Sequence, residues 1–304
     1  MLITSAIAPD IQRLSRLIDS WLVRTSSVDG LAWLRDKQQQ VANGAPNRVL
    51  FSAFSAVPRY LGKADLNLSV EDVRAAEQLR AGWSPGHWSA ERAGRVLLLL
   101  AIPSADVKQY VSTLEQLFIS ADVSELITLY ESIALLPHPE ALSPRAREGP
   151  RTNMTPVFNA IALRNPYPAE QFDELAWNQL VLKALFVDSP LHQIQGLDRR
   201  ANLALAAILR DYAHERWAAS REVSPELWRS VGPFMTADFV DDLARVLRHP
   251  ESVQQEAAAL ALSQAPIPEA SQLLDSRPDL RDRIREGQLT WASHAETYLV
   301  EPRG

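Results

Sequence analysis

Asp211 and His214 stand three residues apart in DYAHER, a spacing that places a carboxylate and an imidazole on one helix face. Di-iron carboxylate helices use that spacing, and so do hydrogen-bonded acid–histidine pairs that hold no metal. A di-iron centre needs a second such pair plus two further acids, and no other acid-x-x-His occurs in the chain. His214 and Glu215 also open like a zincin helix, but HERWA lacks the second histidine four residues on. Asp241 and Asp242 begin like the aspartate-rich motif of helical prenyl-diphosphate enzymes. Arg245 takes the place of the third acid there, so the plainer reading is two acids in the first turns of a helix. No G-x-S-x-G, Walker A loop or G-x-G-x-x-G is present. These motifs point to no catalytic set, no bound metal and no cofactor.

A second kind of chemistry is recognition. From Arg151 to Phe234 the chain is dense in polar groups beside aromatics: Asn153, Asn159, Arg164, Asn165, Asn178, Gln179 and Lys183 accompany Phe158, Tyr167, Phe172 and Trp177. Such groups are costly to bury unless each finds a partner. Either they cap helices and brace the Asn-Pro-Tyr-Pro turn, or they line a pocket or partner surface. His192 follows Pro190, and Asp198 reads as an N-cap or first-turn acid. Arg199 and Arg200 then fall near a helix start, where cations are unfavourable unless an anion compensates. The candidate ligand or partner surface is accordingly Asn153, Arg164, Trp177, Asn178, His192, Arg199, Arg200, Asp211 and His214, with His192 and His214 expected on neighbouring segments.

The elements that must position these residues are helices. Ile11, Leu14, Leu17, Ile18, Trp21 and Leu22 form an apolar stripe at helical spacing, as do Val107, Tyr110, Val111, Leu114, Leu117 and Phe118 behind Ser104, taken as an N-cap. Phe239, Val240, Leu243, Val246 and Leu247 repeat the pattern behind Thr236. Ser69 with Asp72 forms a capping-box signature. Strand-like alternation is scarce, and the 20 prolines against 11 glycines fall mostly between the periodic segments. Pro58 lies inside one of them and predicts a kink or break. A dozen to fifteen short helices are expected. The segments Ser104–Phe118 with Ala121–Leu136, and Thr236–Leu247 with Glu251–Gln264, read as helix pairs. In the second, HPESVQQEAAALAL resembles the inner helix of a HEAT-type repeat, with Gln254 where such repeats often carry Arg. The expected fold is all-α, an array of short antiparallel helices forming a degenerate HEAT-like α-solenoid. It is one domain over 1–304, with an exposed loop near 137–152 marked by Arg145, Arg147 and Arg151.

Composition narrows the partners. The chain is 46% apolar and 22% charged, the profile of a folded globular protein, and its net charge of −6 is mixed along its length. A duplex-binding surface needs a concentrated basic field, so nucleic acid is not expected. There are no cysteines, which removes disulfides and thiolate chemistry and fits a cytoplasmic location. The opening MLITSAIAPDIQRLSRL has no positive n-region and reads as no signal peptide. The longest apolar runs, Val96–Ile102 and Leu203–Leu209, fall far short of the roughly 20 residues a spanning helix needs.

The strings TNMTPVFNAIALRNPYPAEQFDELAWNQLVLKALF, SPLHQIQGLDRRAN, DYAHERWAA and SPELWRSVGPF resemble the EboA-domain family, most closely over Thr152–Phe234 and more loosely through NRVLFSAFSAVPRYLGKADL and ESIALLPHPEAL. Ser220 stands where the family pattern leads one to expect glycine. The resemblance implies a bacterial protein that accompanies a sugar-phosphate-cyclase-like protein, a prenyltransferase-like membrane protein and barrel-fold hydrolase- or isomerase-like proteins. It implies a part in making or exporting a small secondary metabolite, and it carries over no catalytic residues. The expected role is a non-catalytic scaffold or adaptor for those pathway proteins. The alternative is a metabolite-binding protein or metal-dependent enzyme using the polar region 153–214.

Overall fold

The computed structural model describes residues 10–300, so the leader question at residues 1–9 lies outside the described residues. The chain is helical, with helix over 71% of its length, and among the described residues no strand forms beyond one isolated bridge, Asp65 with Ser89. It divides into two compact units, Met1–Asp173 and Glu174–Gly304.

The first unit contains α1 (Ile11–Thr25), α2 (Val28–Ala42), α3 (Asn47–Leu61), α4 (Val70–Leu79), α5 (Ala90–Leu100), α6 (Val107–Ser120), α7 (Val123–Ser132), α8 (Ser143–Ala146), α9 (Thr155–Ala162) and α10 (Tyr167–Gln171). Its centre is α5. The run Val96–Leu100 has no polar face, so the helix must be covered on all sides, and α1, α2, α3 and α7 cover it. Each fully buried leucine there contributes roughly 1.5–3 kcal/mol of transfer free energy. The stripe anticipated on α1 supplies Leu14, Ile18, Trp21 and Leu22, and Trp21 meets Trp83 at 5.7 Å.

Local caps follow simple chemistry. The Ser69–Asp72 capping box is complete, with the Asp72 amide donating to Ser69 Oγ at 3.2 Å and the Ser69 amide to Asp72 at 2.9 Å. Ser104 does not cap α6. Asp106 does, accepting from the Lys108 and Gln109 amides, because it lies directly before the first helical residue and a carboxylate takes both donors. Helix α3 runs unbroken through Pro58. Proline supplies no amide hydrogen to the Phe54 carbonyl, and the buried Arg95 fills the gap, its Nε donating to Phe54 O at 3.1 Å.

The stretch 137–152 is not an open loop. It is a series of short turns, Pro139–Leu142, α8 and Gly149–Arg151, anchored by buried Leu142, Ala146 and Gly149. Its arginines are committed as well: Arg145 to Glu115, Arg147 to Asp173 at 2.9 Å and Arg151 to Glu148 at 2.8 Å. Proline punctuation marked the absence of a long helix there, which is not the same as exposure. The Asn-Pro-Tyr-Pro turn braces this stretch. Asn165 donates to Tyr130 O at 2.9 Å and Ala160 O at 3.2 Å while accepting the Tyr167 amide, and the Tyr167 hydroxyl donates to Pro139 O.

The second unit contains α11 (Glu174–Phe186), α12 (Leu203–Ala218), α13 (Val240–Leu247), α14 (Ser252–Gln264), α15 (Pro268–Asp275), α16 (Pro278–Arg285) and α17 (Trp291–Val300). Its centre is α14, buried from Ala257 to Leu262 and enclosed by α13, α15, α16, α17 and the 3₁₀ turns Pro225–Ser230 and Gly232–Phe234. The small residues Ala257, Ala258, Ala259 and Ala261 allow that close approach. Seventeen α-helical segments appear among the described residues, more than the dozen to fifteen expected, because pieces as short as four residues count separately.

His294 is buried on α17, and because a carbonyl only accepts, its Nε2 must donate to Val253 O at 2.9 Å. Burial lowers its pKa from the ordinary 6.5. The neutral imidazole is favoured in the folded state, so its stabilising contribution is complete above about pH 6.5 and is lost as pH falls below that value. We expect the unfolding midpoint of the intact protein to drop between pH 7.5 and 5.5, and His294→Gln, which keeps a donor, to flatten that drop. Equal slopes for the two proteins would reject this assignment.

Candidate functional site

The polar residues singled out by sequence divide between the units. Asn153 is exposed and Arg164 half-buried in the first unit. Arg164 adopts a left-handed backbone (φ 54°), and burial lowers its pKa, with Arg92 adding to that and Glu131 opposing it. The other seven lie in the second unit.

There, most are held in structural pairs. Asn178 on α11 exchanges two amide hydrogen bonds with Asn202, at 3.2 and 2.9 Å, and Asn202 also caps α12 through the Leu205 amide. Helix α12 therefore begins at Leu203, and Arg199 and Arg200 lie just ahead of its cap rather than within its first turn. Asp198 caps nothing; it accepts two hydrogen bonds from Arg229 at 2.6 and 2.7 Å. Arg200 lies 5.0 Å over the ring of the fully buried Trp177, a cation–π contact, while Arg199 is exposed.

His192 and His214 take different carboxylates. Buried Glu226 accepts from the Leu191 and His192 amides at 2.9 and 2.8 Å and from His192 Nδ1 at 2.7 Å, which places the proton on Nδ1. His214 does not use Asp211, which is exposed on the same helix. Its Nε2 bonds Asp242 Oδ1 at 2.7 Å, and Arg210 bonds the other oxygen of Asp242 at 2.7 Å. A carboxylate already satisfied by a guanidinium is a poor metal ligand, and among the described residues no group of three or more such side chains is placed to hold a metal ion. Arg210 also meets Asp238, whose pKa is lowered first by the Thr236 hydroxyl and then by Arg210.

Beside that network is a cleft of about 330 Å³ in the second unit, lined by Trp217, Ser220, Arg221 and Glu222 at the end of α12 and by Arg245, Val246, His249 and Gln254 from α13 to α14. Arg245 lies 4.3 Å over the Trp217 ring, and Trp217 in turn stacks on Trp228 at 5.8 Å. Gln254 Nε2 holds the rim by donating to Val223 O at 2.9 Å. Ser220 takes a left-handed backbone (φ 54°), which accounts for the glycine anticipated there. Sequence reasoning noted Arg245 only as a flaw in an acidic motif and did not reach Arg221 or His249. The single signal was Trp217 followed by an arginine past the helix end.

A family model described as "Metabolite traffic protein EboA" matches residues 14–232, which covers Trp217, Arg221 and Glu222 but stops before Arg245. No curated protein and no solved structure matches the chain.

Proposed function

The chain belongs to the EboA family, and on that premise we propose that it is a non-catalytic helical scaffold serving a metabolite pathway, one domain in function and cytoplasmic in location. The observation that carries this reading is the outer face of α11. Leu175 and Phe186 are 68% and 77% exposed, Leu182 lies between them at helical spacing, and Leu203 at the head of α12 is 62% exposed. On the same helix Trp177 and Asn178 are turned inward. A helix that buries its polar amide and shows an apolar row outward has the polarity of a protein-docking element. The repeat-like component is the α13–α14 pair, a degenerate HEAT-like element whose alanines let neighbours stack closely. The partners proposed are the sugar-phosphate-cyclase-like and prenyltransferase-like proteins, the second of which would bring the chain to a membrane face without insertion. No helix among the described residues is long and apolar enough to cross a membrane.

Co-expression with those two proteins and capture on the tagged full chain tests this. We expect at least one to be retained, and Leu175→Ser combined with Phe186→Ser to reduce retention about tenfold, the equivalent of about 1.4 kcal/mol. Retention unchanged by the double substitution, or isolation as a lone protein that turns over a pathway intermediate, would overturn the reading.

A further inference from the structure

The cleft between the end of α12 and the α13–α14 connection holds two guanidiniums that the fold does not neutralise. Several arginines of this unit are matched to acids: Arg210 to Asp238 and Asp242, Arg229 to Asp198, Arg277 to Asp279 and Arg283 to Glu256. Among the described residues neither Arg221 nor Arg245 has a carboxylate within ion-pair distance, although Glu222 also lines the cleft. Arg245 is nevertheless not loose. Its planar group rests on Trp217, which is itself backed by Trp228, so much of the entropy of fixing a long side chain is already lost before any ligand arrives. Its N–H donors remain for an acceptor outside the protein.

His249 adds a third donor. Its Nδ1 accepts the Glu251 amide at 3.2 Å, which leaves the proton on Nε2. The ends of α12 and α13 each contribute a partial negative charge of about half an elementary unit to the rim, the start of α14 beside Gln254 contributes about half a positive one, and Glu222 a full negative one, against two full positive charges. The balance favours an anion. The volume suits a small organic molecule, and the combination of two guanidiniums with an imidazole N–H suits oxygens on one planar or tetrahedral group.

We propose that this cleft binds a small organic anion, taking its carboxylate or phosphate oxygens on Arg221, Arg245 and His249 and its body against Trp217. Nothing in this proposal depends on the protein being an adaptor, and the docking face on α11 is a separate surface tested by a separate measurement.

Calorimetric titration of the full chain with inorganic phosphate, and separately with malonate, at low ionic strength tests it. Saturable binding of either probe at one site is expected, with phosphate preferred if the natural group is a phosphate ester and malonate if it is a carboxylate. Arg221→Gln with Arg245→Gln is expected to weaken that binding tenfold or more, and Arg13→Gln, an exposed arginine of α1, to leave it unchanged. Both cleft arginines lie on the surface, and circular dichroism of the double variant confirms that it is folded. Failure of the unaltered protein to bind either probe saturably, or equal affinity in the double variant, would overturn the proposal.

Discussion

Replacing Arg95 by methionine is expected to destabilise the first unit by about 3–5 kcal/mol, the range for removing one partner from a buried charged network. Arg95 is 2% exposed. Its Nε serves the Phe54 carbonyl at 3.1 Å, its Nη1 donates to Ser124 Oγ at 2.9 Å, Glu91 is 3.7 Å away, and the guanidinium lies 5.4 Å over the Phe54 ring. Methionine keeps most of the volume, so the loss reports the polar contacts rather than a cavity. The mechanism makes a sharper claim than the magnitude. Phe54 O lacks its helical donor because residue 58 is proline, so Pro58→Ala restores an amide hydrogen to that carbonyl. Urea unfolding of the four proteins of this cycle is expected to show Arg95→Met costing about 1 kcal/mol less in the Pro58→Ala background, the worth of one backbone hydrogen bond. Strict additivity would mean that the arginine is not compensating for the proline.

Gly232→Ala is expected to cost about 3 kcal/mol, and Gly94→Ala markedly less. A Cβ on Gly232 would lie 2.6 Å from Ala261 O and 2.8 Å from Ala261 Cα, both main-chain atoms in the last turn of α14. Main chain inside an enclosed helix has nowhere to retreat, and overpacking of this kind costs 1–3 kcal/mol or more. At Gly94 the conflict is with side-chain rather than main-chain atoms, Leu61 Cδ1, the end of a leucine that can turn aside, and Val57 Cγ1 at 2.9 Å, on a stiffer branched side chain that must shift by a few tenths of an ångström. Alanine there also gains about 1 kcal/mol of helix propensity within α5. Thermal melts of the two variants decide the matter, and a larger loss for Gly94→Ala would reverse the argument.

What the sequence disclosed and what it withheld follow from range. Helices were legible because their signal repeats every three or four residues, as in the α1 stripe that does bury Leu14, Ile18 and Trp21. The Ser69–Asp72 box was legible because both partners lie within one turn. Caps were less so where several oxygen-bearing residues crowd a helix start: Ser104 and Asp106 both qualify on type, and backbone geometry chooses Asp106. The candidate region fared worst, since partners there are separated by about thirty residues. His214 was matched to Asp211 by spacing, but Asp242 reaches it from α13. Asp198 was assigned to a helix end, but Arg229 takes it. The cleft is the extreme case, because Trp217 and Arg245 become neighbours only when α12 and α13 are packed.

Enclosure of α14 has a consequence for how the second unit comes apart. A stack in which each element touches only the next can fray from either end, and its amides exchange with solvent in a graded order along the chain. Here four helices and two 3₁₀ turns share one axis of support, so the withdrawal of any of them exposes the same alanine-rich surface. The unit should therefore melt in a single step, with the Ala257–Leu262 amides the slowest to take up deuterium.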